Sequence, residues 1–249
     1  MCGARHSFDI ARSGYVNLLQ PQDRRSRAAG DPVAAIDARA ALLAAGVGRA
    51  LIDAIAQRVS ALDLGAHPVI VDLGCGSGDA LAAVAGAGTG IGIDLSTAAV
   101  DRAARRFPGR LWVVANADRR LPLLDRSVDL VMSIHGRRNP SETARVLRRG
   151  GSLLVAVPAP DDLIELRELV QGARVERDRS NLVVTEHAPL FEAAGRSVVR
   201  ETRELDRDAL LRLLHGTYRG VRRAAAARVS TLTRLSVTLA SDLLVFRVR

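Results

Sequence analysis

Between residues 69 and 157 the chain alternates short, almost continuous apolar runs with stretches of helical length and composition. Strands in a parallel sheet are apolar throughout, because helices cover both faces of the sheet. Two further strand-like runs follow near the end of the chain, at 197–202 and 237–248. The pattern predicts an α/β fold with a doubly wound, mostly parallel seven-stranded sheet. The five earlier runs are residues 69–73, 90–95, 111–115, 128–134 and 152–157.

The residues before this alternation have two other patterns. Residues 1–31 are rich in turn formers and arginine and show little periodicity, which predicts an irregular arm. From 33 to 64, apolar residues recur at intervals of three and four, which predicts two amphipathic helices. We therefore expect an N-terminal region over 1–65 and a main domain over 66–249. Two later helices are predicted at 162–170 and 183–194.

The composition is that of a folded protein with an excess of positive charge. Of the 249 residues, 48% are hydrophobic and 25% charged, and the net charge is +9. All 36 basic residues are arginine, which indicates a compositional bias and leaves the reason for the charge open. From residue 196 to the end, twelve arginines face five acidic residues. The charge fits a polyanion partner or an arginine-biased surface equally well.

Cysteine usage and hydropathy limit the location of the protein. Only Cys2 and Cys75 are present, so no disulfide framework is expected and a reducing cytoplasm is the natural compartment. No run of about 18 apolar residues occurs, and charged residues interrupt the first 30 positions. We expect a cytoplasmic protein without a membrane partner.

A glycine-rich loop follows the first strand of the alternation and reads Asp72-Leu73-Gly74-Cys75-Gly76-Ser77-Gly78-Asp79. Glycines in this position allow a tight turn and let backbone N–H groups approach a ligand at the start of the next helix. A dinucleotide-binding fingerprint would place its third glycine where this chain has Asp79. The loop instead resembles motif I of S-adenosyl-L-methionine-dependent methyltransferases.

That resemblance extends to the ends of the following strands. Asp94 ends the next strand, where a carboxylate accepts hydrogen bonds from ribose hydroxyls. In such enzymes Asp118 would receive the adenine amine and His135 would line the methyl side, although His135 could instead simply cap its strand. Cys75 is expected to be a small loop residue, not a nucleophile. The implied cofactor-binding residues are Asp72, Gly74, Cys75, Gly76, Gly78, Ala80, Leu81, Asp94, Leu95, Asn116, Ala117, Asp118, His135 and Asp162.

The arm carries a more specific resemblance. Its segment Phe8-Asp9-Ile10-Ala11-Arg12-Ser13-Gly14-Tyr15-Val16-Asn17-Leu18-Leu19 is similar to the N-terminal region of 23S rRNA (guanine-N1)-methyltransferases, which include macrolide-resistance enzymes. The likeness continues through the Arg137-Arg138-Asn139-Pro140 stretch to the last strand, and so covers nearly the whole chain. It implies a class I methyltransferase fold, Rossmann-like, that can form a homodimer.

The arm departs from that family at its zinc finger. The family uses a Cys-x-x-Cys pair followed by Cys-x-x-x-His, of which the second half is present here as Cys2 and His6. Two ligands do not close a tetrahedral structural site, so we expect no metal in this chain. Either the sequence begins late or this branch has lost its zinc.

The resemblance implies methyl transfer from S-adenosyl-L-methionine to N1 of a guanine in a hairpin of 23S rRNA. Which guanine is modified, and whether the role is housekeeping or drug resistance, stays open. His135, Asp118 and Asp162 are candidates for the base that removes the N1 proton, and the sequence does not choose among them. A small-molecule methyltransferase and an RNA-binding protein with a vestigial fold are the alternatives. The expected RNA contacts in the arm are Arg12, Arg24, Arg25 and Arg27.

Overall fold

The computed structural model describes residues 8–19, 30–172, 176, 178–217 and 223–249. In these ranges, eight strands form one sheet in the order β1-β4-β3-β2-β5-β6-β8-β7. Neighbours from β1 to β6 are parallel, whereas β8 is antiparallel to both β6 and β7. The strands are β1 (Tyr15–Asn17), β2 (Val69–Leu73), β3 (Thr89–Asp94), β4 (Leu111–Val114), β5 (Val128–Ile134), β6 (Leu147–Pro158), β7 (Phe191–Asp206) and β8 (Arg234–Val248).

Helices cover both faces of this sheet, as the continuously apolar strands require. At the middle of β2, Ile70 and Val71 point to opposite faces and are both fully buried. The helices are α1 (Val33–Ala44), α2 (Arg49–Ser60), α3 (Asp79–Val84), α4 (Thr97–Arg106), α5 (Pro140–Val146), α6 (Ile164–Gln171), α7 (Ser180–His187), α8 (Arg207–Thr217) and α9 (Arg223–Ser230).

The predicted α/β fold is confirmed, and the arm adds an eighth strand to it. The short segment β1 lies beside β4, with Tyr15 opposite Trp112, and Leu18 N–H continues the pairing to the carbonyl of Val114 at 2.9 Å. The sequence predicted an irregular arm at these positions. Three residues are too few to show a period of two, and the strand exists because β4 offers it an open edge.

The helix predicted at 183–194 is wrong in its second half. Helix α7 ends at His187, and residues 191–194 begin β7 instead. The reason is Phe191, whose ring lies 6.4 Å from that of Phe246 on β8 and 5.6 Å from the imidazole of His187. Extended backbone at Phe191 lets the ring pack into the core beside the last strand, and that tertiary packing overrides local helical preference.

A third apolar cluster lies outside the two faces of the sheet and supports the helices over its carboxyl edge. It joins Leu42 of α1, Leu166 of α6 and Leu210 and Leu214 of α8, all buried. Arg39 of α1 also donates to the carbonyl of Gly216 at 2.9 Å. The division at residue 65 stays a prediction.

Among the residues that the structure describes, no single helix is long and apolar enough to cross a membrane. Helices α1 and α2 reach that length only together, and the chain bends by 78° between them. Gly48, with φ +84°, precedes α2 at the bend.

Candidate active site

A cavity of about 1360 Å³ lies at the carboxyl ends of β2, β3, β5 and β6. Ligands of open parallel sheets bind at this edge, beyond the strand ends. Its floor includes Asp72, Gly74 and Asp94, and its roof includes residues of α1, α2 and α8. After the prediction from the sequence, we call residues 72–94 the cofactor half of the cavity. The roof helices, His135 and the segment after β6 are called the acceptor half.

Backbone hydrogen bonds fix the glycine loop of the cofactor half. The N–H groups of Gly74 and Cys75 both donate to the carbonyl of Ile93, at 2.8 and 3.2 Å. Gly74, Gly76 and Gly78 have positive φ, a conformation that glycine adopts without strain. A Cβ atom on Gly76 would meet no protein atom within 4 Å, so this turn faces open space in the cavity.

Asp94 is held at the end of β3 by the loop on each side of it. Its Oδ2 accepts from Gly76 N–H at 2.9 Å and its Oδ1 from Ser96 N–H at 2.8 Å. Each carboxylate oxygen has two lone pairs, so both can accept a further hydrogen bond from a ligand. Asp94 is thus oriented in advance to bind a pair of hydroxyl groups.

Asp72 is a buried acid that the protein leaves incompletely satisfied. Its side chain is almost fully buried, and no hydrogen-bond partner in the described part of the chain reaches its Oδ1. Burial, followed by the charge of Asp94, raises the pKa of Asp72 to about 7. A buried carboxylate of this kind is stabilised by a cationic ligand group. An ammonium group for Asp72 and ribose hydroxyls for Asp94 are both present in S-adenosyl-L-methionine, so these residues fit that cofactor.

The remaining residues expected around the glycine loop divide into two groups. Cys75 and Ala80 line the cavity. Burial, followed by the charge of Asp94, raises the pKa of the Cys75 thiol well above its usual value. A thiol that stays protonated agrees with a packing role. The other three do not line the cavity. Gly78 packs against Trp112, whereas Leu81 is buried in the core and Leu95 packs against that core. Ser77 and Asp79 line it and were not singled out from the sequence.

The segment expected at the adenine lies beside a second cavity. Asp118 lines a space of about 490 Å³, and its Oδ2 is 3.7 Å from Nε of Arg137. Asn116 holds the turn by accepting from Asp118 N–H at 2.9 Å, and Asn139 donates to the carbonyl of Ala117 at 3.1 Å. Asn116, Ala117 and Asp118 do not line the large cavity in this structure.

His135 and Asp162 both line the large cavity. Gly136, the residue after His135, packs against Gly74 of the glycine loop. His135 Nε2 lies 2.9 Å from Ser241 Oγ. His135 is exposed, yet desolvation of its ring by the cavity walls, followed by the charge of Arg179, lowers the pKa of His135 to about 4. Asp162 Oδ1 accepts from Ala240 N–H at 2.9 Å, and burial raises the pKa of Asp162 to about 6.

The expected RNA and zinc residues are mostly outside the described residues. Arg12 is exposed in the turn before β1. Arg24, Arg25 and Arg27 lie outside the described ranges, and so do Cys2 and His6. Within those ranges, no group of three or more His, Cys, Asp or Glu side chains could hold a metal ion.

The sequence did not identify the residues of the acceptor half apart from His135 and Asp162. Leu42 of α1, Leu51 of α2 and Leu213 of α8 line it, together with Arg167 and Arg179. Their periodicity predicted some of these helices, but periodicity does not reveal which helices meet over a cavity.

Fold and site together define a class I, S-adenosyl-L-methionine-dependent methyltransferase. Residues 70–151 match the family described as "Methyltransferase domain". The fold is similar to that of the YcgJ protein from Bacillus subtilis, with TM-score 0.55 and 17% identity over 78% of this chain and 97% of that one. It is also similar to a methyltransferase from Thiobacillus denitrificans in complex with S-adenosyl-L-homocysteine, with TM-score 0.52 and 17% identity over 78% of this chain and 90% of that one.

The relationship to a particular family comes from sequence similarity. Residues 1–27 match the model described as "RlmA, N-terminal". The chain is 39% identical over 217 residues to the 23S rRNA (guanine(748)-N(1))-methyltransferase of Streptomyces fradiae, a match covering 86% of this chain and 76% of that protein. The chain belongs to the 23S rRNA (guanine-N1)-methyltransferase family. The expected family, enzyme class and cofactor are confirmed.

Proposed function

We propose that this protein methylates N1 of the 23S rRNA guanine equivalent to position 748, the position in the name of the Streptomyces fradiae relative. The identity to that enzyme over 86% of the chain is the observation that carries the proposal. The cavity supports it, because one continuous space joins the cofactor half to an acceptor half large enough for a base that has been turned out of a hairpin loop.

In the cofactor half, Asp94 would accept hydrogen bonds from the ribose hydroxyls, and Asp72 would pair with the ammonium group of the cofactor. The backbone of Gly74 and Gly76 would lie against the ligand, since a side chain on Gly76 would extend into the same open space. The adenine contact of Asp118 stays a prediction, because Asp118 lies beside the second cavity.

The cofactor supplies a methyl group that is already electrophilic. The protein must therefore place guanine N1 in line with that methyl group, exclude water and accept the proton that N1 carries at neutral pH. Backbone-held Asp94 and the roof helices serve the first requirement, because they border one continuous space in which both reactants would lie.

The arm favours rRNA over a small-molecule substrate. Residues 15–17 of the arm join the sheet as β1. At Gly30 the backbone packs against Ser96, where a Cβ atom would lie 2.6 Å away, two residues after Asp94. The match of residues 1–27 to the family described as "RlmA, N-terminal" supports this preference, because a small-molecule enzyme needs no such extension. The intact carboxylates of Asp72 and Asp94 argue against an RNA-binding protein that has lost catalysis.

Primer extension on 23S rRNA tests the proposal, because methylation of guanine N1 blocks its Watson–Crick edge and stops reverse transcriptase. RNA from cells that express the gene should give a stop at the position equivalent to 748, and RNA from cells without it should not. In vitro, the purified protein should modify a hairpin transcript, whereas a transcript with adenine at that position serves as the matched control. No stop in either experiment would shift the proposal to a small-molecule acceptor.

Action on rRNA would place the protein in the cytoplasm, as the sequence predicted. The homodimer implied by the family resemblance stays a prediction that sedimentation measurements can check.

A further inference from the structure

Two residues that line or border the acceptor half have a strained backbone. His135 and Leu163 both have φ +51°, a left-handed conformation that is unfavourable for a residue with a side chain. Hydrogen bonds hold each one in place: His135 N–H donates to the carbonyl of Ala156 at 2.9 Å, and Leu163 N–H to that of Thr238 at 2.7 Å. Strain maintained in this way is typical of functional positions. At Leu163, it sets the direction of the preceding residue, Asp162.

The position of Asp162 is fixed on three sides. Its N–H donates to the carbonyl of Ala159 at 3.0 Å, its Oδ1 accepts from Ala240 N–H at 2.9 Å, and Leu163 beside it is anchored to β8. Among the residues that the structure describes, none donates a hydrogen bond to Asp162 Oδ2. The carboxylate lines the cavity with one oxygen held and the other available to a ligand.

The charges around Asp162 leave it ionised but basic at neutral pH. Burial raises its pKa to about 6, while Arg167 on α6 and Arg179 before α7 lower it and Asp161 in the same loop raises it. From β8 it meets Ala240, and His135 at the end of β5 lines the same cavity. Ionised Asp162 beside two cations can therefore accept a proton whose departure leaves negative charge on the substrate.

The other two candidate bases are placed less well. The pKa of His135 is lowered to about 4, and its Nε2 is engaged by Ser241. Asp118 is outside the large cavity, beside Arg137. Asp161, next to Asp162 in sequence, turns outward and accepts from Nε and Nη2 of Arg200, both at 3.0 Å.

We propose that Asp162 binds the Watson–Crick edge of the target guanine and is the general base that accepts its N1 proton. The N1–H bond breaks and the proton goes to Asp162 Oδ2. The nitrogen electron pair forms the new N–CH₃ bond as the S–CH₃ bond breaks, with its electron pair going to sulfur. Methylated guanine and S-adenosyl-L-homocysteine result, and Asp162 returns its proton to water. Arg179 stabilises the negative charge that develops on guanine O6. This inference rests on the proposed function.

Asp162→Asn tests the role with little change in shape, because the amide oxygen can still accept from Ala240 N–H. Asp161→Asn is the matched control, since it removes the same charge from the same loop on the outward side. In single-turnover methylation of the hairpin transcript, we expect Asp162→Asn to slow the reaction about 10²–10⁴-fold, the usual contribution of a general base. Asp161→Asn should react at the wild-type rate and bind the transcript as the wild type does.

The pH profile of the wild-type enzyme provides a second test that needs no variant. The single-turnover rate should rise tenfold per pH unit below about pH 6 and level off above it, as Asp162 loses its proton. The plot of log rate against pH should have no such bend in Asp162→Asn. A substitution that only disturbed the structure would lower the rate and keep the bend.

The outcomes separate this inference from the proposed function. If the wild type produces no N1-methylguanine, the proposed function fails. If it does, but Asp162→Asn and Asp161→Asn react equally fast, Asp162 is not the base and the inference is overturned. A wild-type profile with the same shape as that of Asp162→Asn would also overturn it.

Discussion

The two halves of the cavity are built in different ways. Cofactor-half residues come from one continuous stretch, 72–94, whose key groups are joined by backbone hydrogen bonds such as Gly74 N–H to Ile93 O. The acceptor half comes from α1, α2, α8 and the loop after β6, which are far apart in sequence and contribute side chains. Changes in backbone freedom should therefore damage the cofactor half most. The acceptor half should respond mainly to changes in particular side chains.

The largest effect is expected from a methyl group added to the glycine loop. Gly78→Ala combines a positive φ of 82° with a Cβ placed 2.4 Å from the ring of buried Trp112. Backbone strain of about 1–2 kcal/mol and overpacking of about 1–3 kcal/mol should together lower the free energy of unfolding by about 2–5 kcal/mol. Urea denaturation followed by circular dichroism measures this change.

Gly48→Ala is the matched control in the acceptor half. Gly48 has nearly the same φ, +84°, but a Cβ atom there would meet nothing within 4 Å. Only the backbone term of about 1–2 kcal/mol should then be lost. Equal losses at Gly48 and Gly78 would contradict the proposed difference between the two halves.

The second largest effect is expected on cofactor affinity. Asp94→Ala removes the acceptor for the ribose hydroxyls and releases the N–H groups of Gly76 and Ser96. Hydrogen bonds to a charged group contribute about 1.5–3 kcal/mol, so the Kd should rise about 10- to 150-fold. Calorimetric titration measures it, with Asp53→Ala, an exposed acid paired with Arg49, as the control. An unchanged Kd would remove Asp94 from the cofactor half.

Asp72 should make cofactor binding depend on pH. Burial raises its pKa to about 7, and only the ionised carboxylate pairs with an ammonium group. Between pH 7.5 and 6 the Kd should therefore rise about tenfold, and Asp72→Asn should bind weakly with no such dependence.

In the protein without cofactor, ionisation of Asp72 lowers the stability of the fold. Since the folded-state pKa of Asp72 is raised above its unfolded value, its contribution to stability is complete below about pH 4 and is lost as pH rises through 7. Asp72→Asn should thus be more stable than the wild type at pH 8. A variant less stable than the wild type at that pH would contradict this effect of Asp72.

The sequence predicted that the residues around the glycine loop share one site, and the structure brings them to one cavity because their geometry is local. Their contacts with the cofactor stay a prediction. Once a strand, a glycine loop and a helix are recognised, Asp72 and Gly76 have little freedom, and Asp94 follows at the end of the adjacent strand. Asp118 is different, because its surroundings depend on Arg137 and Asn139 from another loop. The route of that loop cannot be derived from spacing within the Asn116–Asp118 segment.

The acceptor half could not be assembled from sequence for a related reason. Helical periodicity predicts α1, but the contact of Arg39 with Gly216 joins residues 177 positions apart. Likewise, the orientation of Asp162 depends on Ala240 N–H, which an alternating pattern along β8 does not disclose. The choice of Asp162 among three candidate bases needed these long-range hydrogen bonds.

The smallest effect is expected at Arg12 of the arm, which lies outside both halves of the cavity. Strand β1 runs parallel to β4, so the turn that carries Arg12 lies at the amino ends of the strands, opposite the cavity edge. A single phosphate contact there should change affinity for the hairpin transcript little. Arg12→Ala should reduce the slope of log Kd against log salt concentration by about 0.7–0.9.

Arg105→Ala is the control for Arg12→Ala, because Arg105 is already paired with Asp101 at 2.9 Å on the helix that Ser13 of the same turn contacts. It removes the same charge from the same side of the molecule, and the salt slope should stay at the wild-type value. If the slope of log Kd against log salt concentration were equal in the two variants, Arg12 would make no phosphate contact. Any change in RNA affinity would then come from net charge alone. A reduced slope in Arg12→Ala alone would show that the RNA reaches around the β1 edge, well beyond the acceptor half.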